Sequence, residues 1–328
     1  MRTRQEIELR KVIKDIGPPP ANPPLFPGFQ DFIKNYLPES LMSFLWESGG
    51  GKQTAEATAT LEYLYSIYIA IVAGDAVFEI SPDIITALRD TDISSALVNE
   101  LRPPFEGIII DIPVGTFAPP GEQVSRLIVT RVDGDKRFRM VCQNSEDYTS
   151  YVNFLVDDNS ITIIDALART ENYDLGIPNE TIQELQKGKL YKDYYKADLF
   201  RFAVNTVLYI TSDKADVVED KSKLHSVINR LHGEKKKNKR QALEQELKQA
   251  KSSKRFIVGA KYRMQKEYLA NFTESGKAWV LKHRLRVIGH WKSQPYGPEH
   301  SFRKRIWVAP YFKGPSMAEL INRGYVVR

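Results

Sequence analysis

The chain is poorest in cysteine. Cys142 stands alone among 328 residues, so no disulfide can form within the chain. A reducing compartment is the simplest expectation. Long apolar runs are also missing. The most apolar stretch, Leu61 to Ala73, is too short to span a bilayer and carries Glu62. No secretory signal is legible in Met1-Arg2-Thr3-Arg4-Gln5-Glu6, so a cytoplasmic protein without a membrane partner is expected. Acidic residues are scarce in one part only. Residues 221–328 hold 26 Lys and Arg against 7 Asp and Glu, a balance of +19. The remainder, at 21 against 34, balances to −13. All five histidines and three of the four tryptophans lie in the basic part. An acidic body with a polyanion-facing end follows from that split.

What is present divides by period and punctuation. Residues 17–28 carry six prolines and two glycines, so residues 1–28 read as a Pro-rich arm. The acidic α+β body is expected over 29–220. Its helices are read at Phe29 to Glu47, Thr54 to Gly74, and from the Ser81-Pro82-Asp83 cap to Arg89. Gly49-Gly50-Gly51-Lys52 has Trp46 where a phosphate loop needs glycine and Gln53 where it needs Ser or Thr, so it reads as a turn between helices. From Glu106 the period changes to two. Strands are expected through Ile108–Ile112, Val124–Val132, Lys136–Gln143, Val152–Val156 and Ile161–Ile164, as an antiparallel meander. Asp133, Asp135, Asp157 and Asp158 fall in its turns, where Asp is ordinary turn chemistry; no metal site is expected. A short helix is read from Asn179 and a long one over Tyr191–Thr211. Residues 221–253 form a basic helical or flexible insertion, and 254–328 a basic β-rich module. The expected class is therefore α+β, with N-terminal helices packed on an antiparallel sheet.

The chemistry concentrates near the end. Gly289-His290-Trp291-Lys292-Ser293-Gln294-Pro295-Tyr296-Gly297 is followed by Phe302-Arg303-Lys304-Arg305-Ile306-Trp307 and Tyr311-Phe312-Lys313. Cations interleave with flat rings, a combination suited to a phosphodiester backbone and a stackable base. It equally suits a hairpin whose rings plug a core while its cations face water. Lys282, Arg284 and Arg286 alternate with apolar residues, and so do Arg303 and Arg305. The candidate nucleic-acid-binding residues are Lys282, Arg284, Arg286, Trp291, Lys292, Tyr296, Arg303, Arg305, Trp307 and Lys313. His290 is the candidate general base, with Tyr296 or His300 as acid and the arginines for phosphorane charge; a core histidine is the alternative. His283, His290 and His300 lack the Cys or carboxylate company of a zinc site, and no cofactor is expected.

Gly-His-Trp at 289–291, Gln294, Tyr296-Gly297 and Arg-x-Arg-x-Trp at 303–307 resemble the C-terminal signature of the phage- and plasmid-borne type V anti-CRISPR proteins that repress production of their Cas effector. Gly50-Gly51-Lys52 before the Leu61/Leu64/Tyr65 helix, the helix at Ile84-Ile85 and the strand through Ile110-Asp111-Ile112 are similar to that family as well. The resemblance implies recognition of the N-terminal peptide of a type V Cas effector during its synthesis, followed by loss of the translated message. RNA or the translating ribosome is then the second partner. Whether such a protein cuts RNA or recruits a nuclease is left open by the resemblance. A plain ribonuclease or mobile-element toxin, and a nucleic-acid-binding maintenance factor, are the alternatives.

Overall fold

The computed structural model describes residues 4–16, 29–37, 55–113, 115–117, 124–132, 137–144, 149–155, 160–169, 183, 195–262, 284–313 and 320–325. Helices α1 (Arg4–Ile16), α2 (Phe29–Asn35) and α3 (Ala55–Val72) come first. Strand β1 (Val77–Ile80) and helix α4 (Pro82–Arg89) follow. Strands β2 (Gly107–Asp111), β3 (Val124–Val132), β4 (Arg137–Asn144) and β5 (Thr149–Leu155) come next. Then come α5 (Ile163–Arg169), α6 (Tyr195–Ile210), β6 (Val217–Glu219), α7 (Ser222–Gly233), α8 (Lys237–Ser252) and β7 (Arg255–Val258). The last strands are β8 (Arg284–Val287), β9 (His290–Tyr296), β10 (Phe302–Val308), β11 (Tyr311–Lys313) and β12 (Leu320–Tyr325).

The class is α+β, as the change of period indicates. Among the described residues the central sheet runs β5-β4-β3-β2-β1-β7-β6. Strands β2 to β5 are the expected antiparallel meander. β1 lies parallel to both β2 and β7, which makes the whole sheet mixed. Ile161–Ile164 is not the fifth meander strand. Thr162 Oγ1 accepts from the Asp165 amide at 3.1 Å and donates to the Asp165 carboxylate at 2.7 Å, so it starts α5. Capping chemistry overrides the β-branched run there. Residues 17–28, 38–54 and the helix expected from Asn179, save residue 183, lie outside the described residues.

Alternation in β2 supplies both faces of the sheet. Ile109 faces a cluster with Leu9, Phe32, Leu64, Tyr68, Ile128 and Val141, under α1, α2 and α3. Ile108 and Ile110 face the larger cluster under α4, α5 and α6, with Ile84, Leu88, Leu167, Phe200, Phe202 and Val207. Helix α3 lies so close to β2 that a Cβ on Gly107 would sit 2.7 Å from the Ala70 backbone. An ionic network fastens α1. Buried Glu6 pairs with Arg10 at 2.8 Å and Arg126 at 3.0 Å; Arg10 reaches Asp75 and Arg126 reaches Asp111. Burial alone lowers the Arg10 pKa, but the Asp75 hydrogen bond and charge, then those of Glu6, carry it above the ordinary value.

The basic segment does not stand apart. Its first strand, β7, is built into the central sheet between β1 and β6. The later strands form two small sheets, β10-β9 and β11-β8-β12. No described helix is long and apolar enough to cross a membrane.

Candidate nucleic-acid interface

Strands β9 and β10 form an antiparallel hairpin in which Trp291 stands opposite Trp307, Ser293 opposite Arg305 and Pro295 opposite Arg303. Opposite residues share a face, so these define the inner side. The outer side is His290, Lys292, Gln294 and Tyr296, paired with Val308, Ile306, Lys304 and Phe302. The two sides have different work.

The inner side grips the segment after α4. Trp291 is 6% exposed, and its indole Nε1 donates to Asn205 Oδ1 at 2.8 Å. The Asn205 amide donates to the Leu88 and Thr91 carbonyls at 2.9 and 2.8 Å, so Trp291, α6 and the end of α4 meet on one buried side chain. Trp307 donates to Thr91 Oγ1 at 3.0 Å, and that hydroxyl donates onward to the Ala87 carbonyl at 2.7 Å. The Trp307 ring stands edge-on to Tyr209, centroids 5.0 Å apart. Gly289 bridges Thr91, where a Cβ would approach Thr91 Oγ1 to 2.4 Å and Pro310 Cδ to 2.9 Å. A larger residue there would have to displace the Thr91 hydroxyl and the Pro310 ring. Arg305 pairs with Glu100 at 2.6 Å and donates to the Ser95 carbonyl at 3.0 Å. Arg286, in β8, pairs with buried Asp90. Burial and then the like charge of Arg89 lower the Arg286 pKa, while Asp90 supplies the counter-charge.

The outer side is the more open one, with Lys292, Gln294, Tyr296 and Phe302 exposed and its other residues half-buried. Tyr296 is 45% and Phe302 55% exposed, their rings 5.6 Å apart, and Lys304 Nζ lies 5.5 Å from the centre of the Tyr296 ring. Lys292 is exposed and His290 half-buried. Gly297 takes φ 78 at the tip, where Phe302 closes over it. This surface offers two lysines, an imidazole and two neighbouring rings tilted at 36°.

The sequence-predicted residues therefore separate. Lys292, Tyr296 and His290 share the outer side. Trp291, Trp307 and Arg305 face inward, with Arg303 on the same side but exposed near the tip. Arg286 is held by Asp90, and Lys313 is half-buried in β11. Arg284 lies in β8; Lys282 and His283 are outside the described residues. His290 and Tyr296 are six residues apart along one strand, roughly 20 Å, so they stand at opposite ends of the hairpin. His300 is at the tip with Tyr296. The Nδ1 of His290 lies 3.4 Å from the Ile288 carbonyl. No group of three metal-ligating side chains occurs among the described residues. Lys304 and Phe302 on the outer face, and Asp90, Thr91 and Asn205 beneath the inner one, were not singled out in the sequence. The strand register would have found the first two; nothing local to residues 90 or 205 marks the others.

The family model described as AcrVA2-like, the anti-CRISPR type V subtype A2 family, matches residues 78–313. That stretch runs from the second residue of β1 to the last of β11, and it includes every element just described. Among solved structures, the chain is similar to one titled crystal structure of AcrVA2, at 14% identity, with 93% of each chain covered and a TM-score of 0.46. No curated protein matches the chain significantly.

Proposed function

Because the chain belongs to the AcrVA2-like, anti-CRISPR type V subtype A2 family, we propose that it inhibits a type V Cas effector by recognising the effector's nascent N-terminal peptide and triggering translation-coupled loss of its mRNA. The observation that carries the RNA half of this reading is the outer face of the β9–β10 hairpin, where Lys292, Lys304, Tyr296 and Phe302 lie together and exposed or half-exposed. Cations hold phosphates, and the paired rings offer a platform for a base. The peptide half is supported by the −13 balance of residues 1–220, which attracts a segment rich in Lys and Arg. The test is a pair of reporters, one carrying the first few dozen codons of a type V effector and one lacking them. Silencing of the tagged reporter alone supports the proposal. Silencing of both supports an unselective ribonuclease or toxin, and silencing of neither removes the proposal.

A self-contained nuclease is the second reading, favoured by the position of His290 on the same outer face as Lys292. Translation with purified components and no host nuclease separates the two. Cleavage that falls by about two to four orders of magnitude in folded His290→Ala assigns the base to His290. Intact message with the wild-type protein assigns the loss to a recruited enzyme.

A further inference from the structure

We propose that the helical hairpin α7–α8 is an arm that holds double-stranded RNA by its phosphates, without reading bases. The proposal deepens the RNA-directed function above and rests on it for the choice of RNA. The chain leaves the central sheet at β6 and returns at β7, which pairs with β6 in antiparallel register. Everything between is excursion. In α7 only Val227 is buried, and in α8 no described side chain is. The two helices pack chiefly on each other, with Arg230 of α7 paired to Glu246 of α8 at 2.5 Å. A two-helix excursion that buries one side chain contributes little to the core, so its composition is free to serve another purpose.

That composition is one-sided. Residues 221–252 hold ten Lys and Arg against three Glu, and no Phe, Trp or Tyr. At 100° per residue, Lys237, Arg240, Lys248 and Lys251 fall within about 80° of one another on α8. Leu243, Glu246, Leu247 and Ala250, the half-buried positions, lie towards α7. Glu244 is the one carboxylate on the cationic stripe and is taken by Arg240 at 3.3 Å. Among the described residues no carboxylate pairs with Lys237, Lys248 or Lys251. The stripe makes two pairs of cations about 16 Å apart along the axis, a separation suited to phosphates on two sides of a groove. The cationic stripe carries no aromatic ring, since His225 and His232 lie on α7, and its one arginine is paired to Glu244; it therefore offers unpaired bases little to stack on, which favours a duplex. Without exposed large apolar residues it has nothing to seat in a bilayer; those of the described chain are Ile7, Val218, Tyr296 and Phe302.

The test measures binding of a labelled 20-base-pair RNA of arbitrary sequence to the full-length protein across a potassium chloride series. Lys237→Gln, Lys248→Gln and Lys251→Gln together are expected to weaken binding at least about tenfold at low salt and to flatten the slope of log Kd against log salt by about 2 to 3 units. An unchanged affinity and slope would overturn the proposal. So would equal competition by polyglutamate or by phosphatidylserine vesicles, which would make the arm a site for another polyanion. Glutamine keeps helix propensity, and circular dichroism checks the fold. For a variant that misfolds, the wild-type protein decides: the duplex should protect Lys248 and Lys251 from acetylation, and undiminished reactivity rejects the arm. None of these measurements uses an effector peptide or a reporter, so the arm and the silencing function fail independently.

Discussion

The indole of Trp291 and the carboxamide of Asn205 are joined by a 2.8 Å hydrogen bond in a fully buried setting, 86 residues apart in the chain. Asn205 spends its two donors on the Leu88 and Thr91 carbonyls and its acceptor on Trp291. The signature tryptophan thus anchors the basic strands to the body.

Asn205→Ala leaves the Thr91 carbonyl and the Trp291 indole donor without their buried partner, while the Leu88 carbonyl keeps the Thr91 amide at 3.2 Å. It is expected to cost about 3 kcal/mol, given roughly 1–3 kcal/mol for each unsatisfied buried group with partial relaxation. Trp291→Phe removes one donor partner and is expected to cost about 1–2 kcal/mol. Urea denaturation measures both. A variant of either kind that melts with the wild type would show that the bond contributes nothing.

Neighbouring cations on β10 should behave oppositely. Arg305→Glu faces Glu100 and is expected to cost about 2 kcal/mol of stability. Lys304→Glu lies on the outer face, and is expected to leave stability within about 0.5 kcal/mol while weakening RNA binding and reducing its salt dependence. Thermal melts beside RNA titrations distinguish them, and a Lys304→Glu variant with wild-type RNA affinity would remove that face from the interface.

Alkaline pH probes the tyrosines. Burial, then the neighbouring Tyr36, raises the Tyr68 pKa far above its ordinary value, and burial raises those of Tyr209 and Tyr262. A raised folded pKa means the unfolded chain ionises first. The stability is therefore present below the ordinary tyrosine pKa of about 10 and is lost as pH rises beyond it, at up to about 1.4 kcal/mol per pH unit for each tyrosine. Tyr68→Phe should flatten the fall between about pH 10 and 11.5 in urea midpoints; an identical pH profile would contradict the assignment.

Proteolysis tests how the two charged parts are joined. Cleavage in the exposed turn at Gly233–Lys237, between α7 and α8, is expected to leave the fragments associated under native conditions. The reason is β7, which pairs with β1 on one side and β6 on the other and belongs to the second fragment. Separation of the fragments on size exclusion would show two independent units.

What the sequence determined by itself was local. The meander from Gly107 to Leu155 was legible because alternation and Asp-rich turns act over neighbouring residues. The helices at Ala55–Val72 and Tyr195–Ile210 were legible for the same reason of period. The charge split needs only counting. The basic, aromatic end was visible as a cluster, but not which of its members face outward. That was decided by register, since a shift of one residue exchanges the two sides of a strand. Trp291 turned inward because Asn205, remote in sequence, offered its indole a buried acceptor; Trp307 turned with it onto the Thr91 hydroxyl and Arg305 towards Glu100. Tyr296 and Lys304 were left outside on the same hairpin. Strand β1, four residues long, carries too little pattern to announce itself. It became an interior strand of the sheet because β2 and β7 hydrogen-bond it from either side; Val77 pairs with Arg255, 178 positions on, a relationship that exists only in the folded chain.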